Sequence, residues 1–128
     1  MSFSSQRKYQ SLIDKLYQST ITGNLVWGAD LLDDKVLTTQ IGTKTVEIGE
    51  GRSDSGEPLV RVTIRDDAGK ALDTFDDESL SGLPVTGGSF GGYWSLMSDL
   101  LAYAKRQATG AEDAIDEILT VLDDKLPF

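Results

Sequence analysis

Pro58-Leu-Val-Arg-Val-Thr-Ile-Arg-Asp-Asp-Ala-Gly-Lys-Ala-Leu-Asp-Thr-Phe75 is the stretch whose reading decides the fold. Val60, Val62 and Ile64 alternate with Arg61, Thr63 and Arg65, the period-two pattern of a strand with one apolar and one polar face. Asp66-Asp67-Ala68-Gly69 then reads as a hairpin turn, because Gly69 can take a positive φ at no steric cost. Lys70 to Phe75 returns as the next strand.

Upstream, Lys35 to Ile41 and Thr43 to Gly49 flank Gly42 and predict a second tight hairpin. Glu50 to Glu57 reads as a polar, glycine-containing loop. The middle of the chain is therefore an antiparallel meander of four strands, or five if Leu25 to Trp27 joins it. Its polar face is expected to carry Glu47, Arg61, Arg65 and Asp73. Charges of both signs there can pair across strands, each pair contributing roughly 0.2–1 kcal/mol.

Helical periodicity brackets this sheet. Tyr9, Leu12, Ile13, Leu16, Tyr17 and Ile21 fall on one face of an N-terminal helix, with Ser4 or Ser5 as a cap and Gly23 as its stop. Tyr93, Leu96, Met97, Leu100, Leu101 and Ala104 mark a second helix. Thr109-Gly-Ala-Glu112 has the spacing of a capping box. A third helix then presents Ala114, Ile115, Ile118, Leu119 and Leu122, and Pro127 stops it. Asp76 to Gly92 is the loosest stretch. The expected architecture is a single α+β domain over residues 1–128. It has an N-terminal helix, a four- to five-stranded antiparallel meander and two C-terminal helices packed on one face of the sheet.

The 128 residues include no cysteine and no histidine. Their absence excludes a disulfide framework, a thiolate metal site, a Ser-His-Asp triad and histidine-ligated zinc or iron. Any chemistry falls to carboxylates, Lys, Arg, Tyr, Ser or Thr. The net charge is −9, which repels phosphate backbones and anionic lipid and is compatible with a basic protein partner. The opening residues Met1 to Lys8 lack the apolar region of a secretory signal, and no apolar run reaches the ~20 residues of a membrane span. A cytoplasmic location is the expectation.

Three features compete as functional signals. Gly87-Gly-Ser-Phe-Gly-Gly92 precedes a helix, but it lacks the Gly-Lys-Ser/Thr of a phosphate-binding loop. The acidic groups Asp30/Asp33/Asp34, Asp73/Asp76/Asp77/Glu78 and Asp113/Asp116/Glu117 match no regular calcium loop, and a solvated acidic face explains them. Phe90, Tyr93 and Trp94 gather at a helix start. Adjacent Tyr93 and Trp94 cannot both point into the core of one helix, so one of them is expected at an edge, a groove or an interface.

Tyr9, Leu12, Leu16, Tyr17 and Thr20, followed by Gly23, Leu25 and Trp27 and later by Leu100-Leu-Ala-Tyr103-Ala-Lys-Arg106, form a pattern that resembles small bacterial α+β proteins of no assigned activity. The resemblance covers most of the chain and implies a fold. It implies no mechanism. The acidity and the helix–sheet–helix order are also similar to type III secretion chaperones, although those interleave a helix between strands and this chain does not.

These observations favour a non-catalytic protein-interaction domain of the adaptor, inhibitor, immunity-type or chaperone-like kind. Its partner would be another protein, of basic character, and a homodimer is compatible with the sequence. No cofactor, metal or catalytic residue is assigned. The alternative is a carboxylate-based or divalent-metal-dependent hydrolase. Phe90, Tyr93 and Trp94 are the first candidate binding residues; Arg61 and Arg65 on the polar sheet face are the second.

Overall fold

A computed structural model describes residues 3–29, 35–81 and 91–125. It shows the expected α+β architecture: an N-terminal helix, a five-stranded antiparallel sheet and two C-terminal helices. Helix α1 spans Phe3–Ile21, so Ser4 and Ser5 fall inside its first turn. The strands are β1 (Gly28–Ala29), β2 (Val36–Ile41), β3 (Lys44–Arg52), β4 (Pro58–Arg65) and β5 (Ala71–Asp76). A 3₁₀ turn at Asp77–Leu80 leaves the sheet, and α2 (Tyr93–Thr109) and α3 (Ala111–Lys125) close the order.

Each strand pairs with its sequence neighbour, so the sheet is a simple meander. The register draws one apolar row across it. Leu37 faces Ile48, Ile48 faces Val62, and Val62 faces Phe75, and all four are at most 2% exposed. Val60 and Val62 point inward as the alternation of β4 requires. The fifth strand is Gly28–Ala29, just after the Leu25 to Trp27 segment proposed from sequence. β3 also runs further than expected, to Arg52, and leaves a shorter loop before Pro58.

The β4–β5 turn forms as its residues dictate. Gly69 has φ +87° and donates to the Asp66 carbonyl at 3.0 Å. The Asp66 carboxylate accepts from the amides of Ala68 and Lys70, at 3.0 and 2.8 Å. After it, the pairing shifts between Ile64/Arg65 and Asp73/Ala71, leaving Leu72 as the extra residue of a bulge. Asp73 faces Ile64 in this register, which puts it on the helix side rather than on the polar face. There its carboxylate accepts from the Tyr9 hydroxyl at 2.7 Å.

α1 and α2 cover the sheet. Ile13 and Leu16 from α1 meet Leu96, Met97, Leu100, Leu101 and Ala104 from α2 in one buried cluster with the apolar row. Each such large aliphatic contributes roughly 1.5–3 kcal/mol when fully buried. Trp27 folds back under α1, 1% exposed. Its ring N–H donates to Thr20 Oγ1 at 2.9 Å, and the Thr20 hydroxyl donates onward to the Leu16 carbonyl at 2.7 Å. Gln107 of α2 seals the same corner by accepting from the Trp27 amide at 3.0 Å and donating to the Leu25 carbonyl at 3.2 Å.

α3 differs from the packing expected of it. Its main neighbour is α2 rather than the sheet, and every residue from Asp113 to Lys125 is exposed. The junction explains this. Thr109 is the last residue of α2 and its hydroxyl donates back to the Arg106 carbonyl at 3.3 Å; the Glu112 side chain of the box read at Thr109–Glu112 lies outside the described residues. Gly110 takes the left-handed conformation, φ +71°, and turns the chain away from the sheet. α1 and α2 already occupy the apolar face on which α3 was expected.

Candidate functional site

The first candidate group is split by the structure. Phe90 lies outside the described residues, as do the glycine run up to that point and the acidic group at 30–34. Tyr93 is buried, 2% exposed, in the first turn of α2. Its hydroxyl donates to Asp14 Oδ1 at 3.3 Å; burial, with the Asp14 charge next, raises its phenol above the ordinary value. Tyr93 is thus a core residue that ties α2 to α1. Trp94, its neighbour, is 45% exposed. One of the two adjacent aromatics faces in and the other out, as helical geometry demands.

Trp94 stands at a groove of about 380 Å³ between α2 and the β3–β4 hairpin, with Val60, Ser98, Leu101, Glu50 and Lys105 also lining it. Its walls are mainly apolar. Ser98 Oγ is buried there with no hydrogen-bond partner among the described residues. Lys105 and Glu50 form an exposed ion pair at 3.2 Å across it, a geometry that contributes at most about 1 kcal/mol.

Arg61 and Arg65 stand on the opposite, outer face of the sheet. Arg65 Nε donates to Glu47 Oε1 at 2.7 Å, and its Nη1 donates to the Gly69 carbonyl at 3.1 Å. These bonds tie the outer face together and brace the β4–β5 turn. The Arg61 guanidinium lies against Gly51, where an added Cβ would meet it at 3.1 Å. The two candidate groups therefore form no common site.

Three acidic residues around the end of β5, Asp73, Asp76 and Asp77, have structural partners. Asp73 accepts from Tyr9. Asp76 Oδ1 accepts from the Ser79 amide at 3.1 Å and completes a reciprocal cap on the 3₁₀ turn. Asp77, 9% exposed, accepts from the Val60 amide at 2.7 Å. Each carboxylate is aimed at a different donor, and among the described residues no group of three or more acidic side chains gathers as a metal would require.

Among the described residues, a run of exposed apolar side chains lies where sequence reasoning placed core. Ile115, Ile118, Leu119, Val121 and Leu122 of α3 are 44–57% exposed. At 100° per residue they occupy one broad arc of the helix. Asp116 and Asp123 follow on one border of the arc, Glu117 and Asp124 on the other. Periodicity finds such a helix but not what covers it, since a core-facing and a partner-facing stripe have the same spacing. No helix among the described residues is long and apolar enough to cross a membrane. No protein-family model, curated protein or solved structure matches this chain.

Proposed function

We propose that this domain is a non-catalytic protein-interaction module, of the adaptor, inhibitor, immunity-type or chaperone-like kind, acting in the cytoplasm on another protein. The observation that carries the reading is the exposed apolar arc of α3. A 15-residue helix is marginal by itself in water, and helices of that length draw their stability from burying an apolar face. α3 buries little of its own on the rest of the chain.

Five aliphatic side chains about half exposed supply roughly 5 kcal/mol of gross apolar burial when a partner covers them, before the costs of association. That suits a specific, reversible contact. The Trp94 groove offers a second apolar surface on the same helix pair, of the residue type enriched in interface cores. Asp14, Asp66, Asp73, Asp76, Asp77 and Asp99 each accept a turn, cap or cross-element hydrogen bond, so these carboxylates already serve the fold.

The test is capture from lysate of the source cells at physiological salt, with the tagged wild type beside an Ile118→Asp/Leu122→Asp variant. The expected result is a partner held by the wild type and lost by the variant at unchanged circular dichroism. A partner set identical for both proteins removes α3 as the binding surface, and with it the basis of the reading.

A further inference from the structure

We infer that α3 seats in the α2 groove of a second copy of this chain, and that this weak, reciprocal dimer withholds α3 from its protein partner. This rests on the protein-binding reading above and adds the regulation of the same surface.

The groove beside Trp94 continues past Lys105. A second hollow of about 370 Å³ lies on the far side of that lysine, with Lys35 and Leu37 on one wall and Ala108 and Thr109 on the other. Along the two hollows α2 presents Trp94, Ser98, Leu101, Lys105 and Ala108, spaced four, three, four and three residues apart. That is the alternation with which one helix offers a seam to another. α1 packs on a different flank of α2, where the Tyr17 hydroxyl meets Asp99 and its ring meets Tyr103 edge-on at 6.2 Å. On the groove side Trp94, Ala102 and Lys105 stay exposed.

α3 supplies the matching half. Ala111, Ile115, Ile118 and Leu122 are spaced four, three and four residues apart, and Ala114, Leu119 and Val121 widen that stripe on both sides. α3 is 15 residues long; it and the stripe from Trp94 to Thr109 both extend about 22 Å at the helical rise. Large aliphatics on α3 would meet the small Ser98, Ala102 and Ala108 on α2, the large-against-small pattern that lets two helices interdigitate. Lys105 is the one charged member of the α2 stripe, and a single lysine at a seam position fixes register.

The connection selects a second copy over the chain's own groove. Gly110 alone separates α2 from α3, whereas a helix that folds back along its predecessor takes a loop of about 2–5 residues. Short hinges of this kind favour exchange between copies. Reciprocal seating covers both arcs and both grooves and closes on a two-fold axis. It buries on the order of 1,200 Å², the size of a transient contact. The expected dissociation constant is on the order of 10 µM, so the dilute chain is monomeric and its α3 is available.

Sedimentation of the full chain from about 1 to 500 µM should show a monomer–dimer equilibrium. The chain has no cysteine, so single cysteines report which surfaces meet. Ala102 and Ile118 lie near the middle of the two stripes and come together whichever way the helices run. A mixture of Ala102→Cys and Ile118→Cys chains should form the mixed disulfide at least about tenfold faster than either chain links to itself. Ala102→Asp puts a charge in the groove at an exposed position. It should weaken the dimer by about tenfold or more at unchanged circular dichroism and raise capture from lysate. Ile118→Asp/Leu122→Asp should lose dimer and capture together.

A monomer throughout that range overturns the proposal. So does a dimer that Ala102→Asp leaves intact, or self-linking of Ile118→Cys chains faster than the mixture, which places α3 against α3. Capture unchanged by Ala102→Asp overturns the regulatory role. If the mixed disulfide forms while capture never depends on α3, the protein-binding reading falls and the self-docking stands. If capture depends on α3 in a chain that stays monomeric, the reverse holds.

Discussion

Thr20 is the residue on which the N-terminal corner turns. It is polar and 2% exposed, a combination that is stable only if its hydrogen bonds are made. Its hydroxyl does so twice, accepting from the Trp27 ring and donating to the Leu16 carbonyl. Thr20→Val keeps the shape and strands the buried indole N–H. The expected cost is about 1–3 kcal/mol, read from urea unfolding followed by tryptophan fluorescence; a change under about 0.5 kcal/mol would show that the indole finds another acceptor. Tyr17 gives a pH signature. Burial first, and then the hydrogen bond its hydroxyl makes to Asp99 Oδ2 at 2.6 Å, push its phenol from 10.0 up to about 12. The folded state holds the proton that the unfolded chain releases, so this stabilisation is complete below pH 10.0 and is lost as pH rises towards about 12. Tyr17→Phe should lose about 1 kcal/mol at neutral pH and then decline less steeply than wild type across that alkaline window. Parallel curves for the two proteins would remove Tyr17 as a source of the decline.

The element that best shows sequence turning into structure is the β4–β5 hairpin. One carboxylate, Asp66, closes the turn by accepting two amides, and Arg65 reaches over to the Gly69 carbonyl. Asp66→Ala should therefore cost about 1–2 kcal/mol, with Asp66→Asn recovering part of it because one acceptor oxygen remains. Denaturant midpoints order the three proteins, and an alanine variant as stable as the asparagine variant would refute the role. The hairpin was readable because its information is local: alternation, an Asx-type turn and a positive-φ glycine lie within eighteen residues. The bulge at Leu72 was not, since it arises from pairing with β4 and moves Asp73 to the helix side. α2 and α3 make the same point together. All six apolar residues assigned to the face of α2 are buried, while those assigned to α3 are exposed. Both faces have the same periodicity, and only the space left over the sheet by α1 and α2 distinguishes them. The site residues followed the same division. The opposed fates of Tyr93 and Trp94 came from helical geometry, whereas the pairing of Arg65 with Glu47 depended on strand register.

At the scale of the molecule, α1, α2 and the sheet share one buried core, and α3 follows it after Gly110 with α2 as its main neighbour. The buried cluster formed by the apolar row from Leu37 to Phe75 and the helix residues above it includes no residue of α3. Ending the chain at Gly110 should therefore leave the body folded. Its unfolding free energy is expected to change by no more than about 1 kcal/mol, because the truncation opens no cavity in the buried cluster, strands no buried polar group and keeps the Gly110 cap of α2. Removing residues 111–128 also removes more than half of the net negative charge of −9, and the self-repulsion that goes with it. The shortened chain should then respond less to added salt than the full chain does, since screening has less repulsion to relieve. Urea unfolding of both proteins at low and high salt measures the two effects at once. A shortened chain that is molten, or destabilised by several kcal/mol, would show that α3 belongs to the folding unit. Its exposed arc would then be the back of a structural helix, and the search for a partner would move to the groove beside Trp94.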